Sequence, residues 1–120
     1  MITQVIEMEK IVRQGILYDF YGELLTEHQR QIYEEVVFHD LSLSEIAQEQ
    51  GISRQGVHDL VRRCDKILQG YEDKLHLVEK FQITKDMAGE IRAFLDRYQE
   101  CGDTSLLTRA KETAEKIAEI

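Results

Sequence analysis

Arg54, Gln55, His58 and Arg62 follow one another at steps of one, three and four, a spacing that lays side chains along one side of a helix. An arginine guanidinium can donate two parallel hydrogen bonds to a guanine edge, and a glutamine amide can pair in the same way with adenine. Arg63 and Lys66 come next and carry the charge that suits phosphate oxygens. Ser42, Ser44 and Ser53 precede or open this stretch and offer hydroxyls to the same backbone. The chemistry on offer is recognition, with no bond making. His58 has no nucleophile beside it in any motif, and His28, His39, Glu34 and Glu35 form no metal-ligand pattern. No phosphate loop, catalytic triad or metal constellation occurs, so the sequence predicts a non-enzyme without cofactor or metal.

Two short helices joined by a tight turn must hold these side chains. Ser42-Leu43-Ser44-Glu45 has the capping-box form, a hydroxyl followed three residues later by Glu. It starts a helix running to about Gln50. Gly51 supplies the turn, because glycine accepts positive φ at little cost. Ser53 then caps the next helix. Ala47 provides the small residue where the two helices cross, and Ile46, Ile52, Val57 and Leu60 pin them to a core. Together these positions define a helix-turn-helix over Ser42–Lys66. Its second helix turns Ser53, Arg54, Gln55, His58, Asp59 and Arg62 away from Val57, Leu60 and Val61. From Ser53 to Gln69 four cations (Arg54, Arg62, Arg63, Lys66) outnumber two acids, Asp59 and Asp65. That local basic patch sits inside a chain of net charge -8.

The remaining segments read as helices. Val5, Met8, Ile11, Val12, Ile16, Leu17, Phe20, Tyr21, Leu24 and Leu25 follow a helical period, with Gly15 and Gly22 as places where that helix weakens or ends. Tyr18, Phe20 and Tyr21 read as core. Thr26-Glu27-His28-Gln29 is another capping box and opens a helix that stops near His39-Asp40. After Ser53 the apolar stripe continues through Ile67, Leu68, Tyr71, Leu75, Val78 and Phe81. It passes through Gly70, where the helix either continues or breaks. A further helix follows Thr84, with Met87, Ile91, Phe94, Leu95 and Tyr98 on one face. A turn at Cys101-Gly102-Asp103 leads to a last helix from about Ser105 to Glu119. The pairs Glu34-Glu35 and Glu72-Asp73 read as solvated. The expected organisation is a helix-turn-helix domain over 1–69 and a C-terminal helical extension over 70–120.

Composition agrees with a folded chain. Hydrophobic residues make up 42% and charged residues 32% of 120 residues, and proline is absent. No apolar run approaches the roughly 18 residues of a membrane span, and Met1–Lys10 lacks the pattern of a secretory signal. A cytoplasmic protein without membrane contact is expected. Cys64 and Cys101 stand far apart and read as reduced, structural thiols, with Cys64 on the apolar stripe. The acidic total counts against indiscriminate nucleic-acid binding, which depends on cations meeting phosphates.

The stretch from Leu24 to Leu68 resembles region 4 of bacterial sigma factors in Leu25-Thr26 with Gln29-Arg30, Ser44-Glu45-Ile46-Ala47, Gly51-Ile52-Ser53 and Val57. A wider resemblance covers most of the chain. Tyr18-Asp19-Phe20-Tyr21, Leu24-Leu25-Thr26, Gln29-Arg30, Leu43-Ser44-Glu45-Ile46-Ala47, Ser53-Arg54-Gln55 and Tyr71-Glu72 with Lys74-Leu75 look like the YlxM family of small bacterial helix-turn-helix proteins. Where that family often has Ala-Val-Tyr after Ser-Arg-Gln, this chain has Gly56-Val57-His58. The resemblance implies an all-α fold with a sigma-region-4-like, winged-helix-like core, a long helix and a C-terminal helical extension. It also implies a DNA-binding regulator, and a tie to the signal recognition particle, whose GTPase and receptor genes neighbour those of the family. The expected contacts to bases come from Arg54, Gln55, His58 and Arg62, and those to phosphates from Ser42, Ser44, Arg63 and Lys66. The stripe from Ile67 to Phe81, with the terminal helices, is the expected homodimer surface. The alternative is a protein-interaction module that modulates the signal recognition particle GTPase without binding DNA.

Overall fold

The amphipathic run at the start of the chain forms α1 (Ile2–Tyr21), which passes through Gly15 and ends in a 3-10 turn at Gly22–Leu24. A Cβ on Gly22 would lie 2.8 Å from the Tyr18 ring, so a larger residue at that corner would have to displace that ring. The computed structural model describes the backbone of residues 2–39 and 41–120, and the side chains of 9–39 and 41–120. The side chains of the expected apolar positions Val5 and Met8, and Asp40, lie outside what is described; the helix expected to stop near His39-Asp40 ends at Val37.

Hydroxyl caps set the next three helices. Thr26 accepts from the Gln29 N–H at 3.2 Å while its own N–H donates to Gln29 Oε1 at 3.0 Å, a complete capping box that starts α2 (Glu27–Val37). Ser42 accepts from the Glu45 N–H at 3.1 Å and starts α3 (Leu43–Gln50). Gly51 takes φ 66, and the N–H groups of Gly51 and Ile52 both donate to the Ala47 carbonyl, which closes the turn. Ser53 accepts from the Gly56 N–H at 2.9 Å and starts α4 (Arg54–Leu75).

The chain divides into two compact units, Met1–His76 and Leu77–Ile120. In the first, α1, α2 and α3 all pack on α4. Their core holds Leu17, Tyr21, Leu25, Ile32, Tyr33, Ile46, Ala47, Val57, Val61, Cys64 and Leu68. Of the expected pins, Ile46 and Val57 are fully buried, Leu60 is half-buried, and Ile52 is 37% exposed because it sits in the turn. Among the three aromatics read as core, Tyr21 is buried, Tyr18 is half-buried against Tyr33, and Phe20 is 36% exposed.

The helix runs straight through Gly70 and ends at His76, which takes the left-handed conformation (φ 56). Histidine is among the non-glycine residues that tolerate this region. The boundary expected at 69/70 therefore falls inside α4, and the next helix starts well before Thr84. The second unit is the pair α5 (Leu77–Cys101) and α6 (Ser105–Ala118), joined by a turn in which Gly102 takes φ 70. Leu106, Ala110 and Thr113 of α6 are buried; Met87, Ile91, Phe94 and Tyr98 of α5 are half-buried, and Leu95 is 41% exposed. Among the described residues no strand occurs, and no helix is long and apolar enough to cross a membrane.

Candidate nucleic-acid interface

The apolar face of α4, at Val57, Val61, Cys64 and Leu68, leaves the opposite side of the helix open. Arg54, Gln55, His58, Asp59, Arg62, Arg63 and Lys66 are all exposed. They fall into two groups along the helix. Arg54, Gln55 and His58 border an open depression of about 490 Å3 together with Leu43 from α3. Arg62, Arg63 and Lys66 border a second, of about 270 Å3, together with Asp59. From Arg54 to Lys66 the helix rises roughly 18 Å, several base pairs' worth of groove.

The three serines are also exposed, and two of them serve as caps. Oγ of Ser53 accepts from Gly56, which leaves its O–H to donate elsewhere; Ser42 stands likewise over α3, while Ser44 is exposed within it. Gln55 Nε2 donates to Asp59 Oδ1 at 2.9 Å, and the His58 imidazole lies 3.8 Å from the same carboxylate. Asp59 therefore engages two of the expected base-contacting residues.

Asp65 does not share that face. It accepts from Gln14 Nε2 of α1 at 3.0 and 3.1 Å, and from the Tyr33 hydroxyl of α2 at 2.6 Å. From Arg54 to Lys66 the exposed residues of α4 thus keep four cations against one carboxylate, Asp59. Burial, and then the hydrogen bond to Asp65, push the Tyr33 phenol well above its ordinary range. Two further bonds of this kind knit the unit together. The Tyr21 hydroxyl donates to Glu72 at 2.6 Å, and the Tyr18 hydroxyl donates to Glu34. Glu72 is 5% exposed, and Glu34 and Glu35 are half-buried with Glu35 Oε2 shielded from solvent. The expectation that Glu34, Glu35 and Glu72 are solvated is therefore corrected, while Asp73 is exposed as expected. Period alone could have found two of these positions. Asp65 stands four residues after Val61 and three before Leu68, and Glu72 stands four after Leu68, so both lie along the buried stripe.

The thiols differ. Cys64 is fully buried, and burial, with the Asp65 charge, pushes it up to about 11. Cys101 is exposed at the end of α5 and makes no structural contribution to a core. Among the described residues no group of three or more His, Cys, Asp or Glu side chains is placed to hold a metal ion.

Comparison with known proteins places this architecture. Residues 8–107 match the family described as "Putative helix-turn-helix protein, YlxM / p13 like". A UPF0122 protein of Shouchella clausii is 45% identical over 85 residues, covering 71% of this chain and 78% of that one. One from Clostridium kluyveri is 40% identical over 104 residues (87% and 94%), and one from a Geobacillus strain is 40% identical over 109 (90% and 97%). The chain belongs to the UPF0122 family of YlxM/p13-like helix-turn-helix proteins.

Proposed function

We propose that the protein binds duplex DNA through the outward side of α4 and acts as a cytoplasmic regulator of transcription. The observation that carries this is the segregation of charge on α4: Arg54, Arg62, Arg63 and Lys66 face outward, while Asp65 is drawn inward by Gln14 and Tyr33. Arg54, Gln55, His58 and Arg62 meet base edges in the major groove, as the second helix of such motifs does. Ser42, Ser44, Ser53, Arg63 and Lys66 hold phosphates. A single helix reads few base pairs, so the active species is a homodimer; of the expected stripe Leu68 and Val78 are buried, which leaves the pairing to exposed apolar residues of the C-terminal helices, among them Ile83, Leu95 and Leu107. The resemblance to the YlxM family supports targets in the signal recognition particle pathway. A gel shift on the DNA upstream of the protein's own gene, at low salt, tests this. A retarded band that is lost with Arg54→Ala plus Arg62→Ala is expected, and a band unaffected by the pair would defeat the assignment.

The net charge of -8 favours one other reading. An acidic surface suits a basic protein partner, and here that partner is the GTPase of the signal recognition particle. Pull-down of that GTPase and its hydrolysis rate with and without the protein separate the two; no association at micromolar concentration counts against the second.

A further inference from the structure

A groove opens among α1, α2, α3 and α4, with a cavity volume of about 250 Å3. Ile11, Val36, Leu43 and Val61 give it an apolar lining. Ile11 is 47% exposed, so α1 keeps a large aliphatic side chain in water at the groove. That surface gains free energy when covered. Lys10, His58 and Arg62 stand among the lining residues and bring two permanent cations. Among the described lining residues the one carboxylate, Asp65, already accepts from Gln14 and Tyr33.

We infer that this groove docks an acidic amphipathic helix of a partner protein. Its volume falls below the roughly 300–1,000 Å3 of small-molecule sites but suits a few aliphatic anchors projecting from a helix. Charge chooses the kind of helix: carboxylates flanking the anchors meet Lys10 and Arg62, whereas a basic helix is repelled by both. The inference does not rest on DNA binding. His58 and Arg62 belong to both surfaces, however, so an occupied groove withdraws them from the outward side of α4.

The test uses the full chain with labelled methyl groups and a synthetic helical peptide of about 15 residues. The peptide carries Leu at positions i, i+3, i+4 and i+7 with Glu on its other face; its counterpart carries Lys in place of Glu. The Glu peptide should bind at micromolar concentration, shift the methyls of Ile11, Val36, Leu43 and Val61, and exceed the Lys peptide by about tenfold or more. Lys10→Glu with Arg62→Glu should reverse that preference. Ile11→Glu should abolish binding while the helical circular dichroism stays unchanged, since Ile11 is half-exposed. Equal binding of the two peptides, or shifts confined to other methyls, would overturn the inference. So would concentration-dependent shifts of the groove methyls without peptide, which would make a second copy the occupant. DNA is absent throughout, so this result is independent of the gel shift.

Discussion

Removing one hydroxyl tests the joint that keeps Asp65 off the outward side of α4. Tyr33 is fully buried and donates to Asp65 Oδ1 at 2.6 Å. A hydrogen bond to a charged acceptor contributes about 1.5–3 kcal/mol. In Tyr33→Phe the carboxylate still accepts from Gln14 at 3.0 and 3.1 Å, which puts the expected loss at the lower end, about 1.5–2 kcal/mol. For a unit of this size that lowers the melting temperature by about 10 °C. Urea denaturation followed by circular dichroism measures the loss. A cycle combining Tyr33→Phe with Asp65→Asn should give a coupling energy above about 0.5 kcal/mol, because the two side chains share one bond. A Tyr33→Phe variant within about 0.5 kcal/mol of the parent, or strictly additive effects, would refute the reasoning. The inward tether of Asp65 would then be lost from the case for a basic face.

Four further perturbations have defined outcomes. Gly51→Ala should cost about 1–2 kcal/mol in denaturant melts, because φ is 66 there and no atom lies within 4 Å of the added Cβ, so the penalty is purely conformational. A thiol reagent at mildly alkaline pH should label exposed Cys101 and spare buried Cys64 until the protein unfolds. The folded state holds the Cys64 thiol protonated up to about 11 against an ordinary 9.0, so its contribution to stability is full below pH 9 and is lost as pH rises toward 11. A melting temperature flat across that window would contradict this. Asp59→Asn removes the sole carboxylate among the exposed residues of α4 from Arg54 to Lys66. It should raise DNA affinity several-fold and change stability by less than about 0.5 kcal/mol, since the bond to Gln55 is exposed.

Local chemistry made most of the fold legible. The caps at Thr26, Ser42 and Ser53 and the turn at Gly51 each depend on residues within a few positions and each forms, although of the two expected capping boxes only that of Thr26 and Gln29 closes in both directions. The end of α4 was not legible, because His76 reaches the left-handed region without the glycine that usually marks it. The apolar stripe runs past that point, so period alone could not place the break. The site shows the same division. The exposure of Arg54, Gln55, His58 and Arg62 follows from the position of Val57 and Val61. The places of Asp65 and Glu72 on the buried stripe follow from the same period, but their partners Tyr33 and Tyr21, and Tyr18 for Glu34, are distant in sequence and do not. Moving Asp65 inward is the change that matters for the proposed function, since from Arg54 to Lys66 it leaves the exposed cations opposed by Asp59 alone.

The most direct test of that basic side is the salt dependence of DNA binding, followed by fluorescence anisotropy on labelled duplex. Each phosphate neutralised adds about -0.9 to the slope of log K against log salt. If Arg63 and Lys66 hold phosphates, the parent should bind with a clearly negative slope, and Arg63→Ala with Lys66→Ala should make it shallower by about 2. Arg54→Ala should instead weaken binding mainly at the preferred sequence. No binding at about 50 mM salt, or a slope the Arg63 and Lys66 substitutions leave unchanged, would contradict the assignment of α4 as a DNA-reading helix.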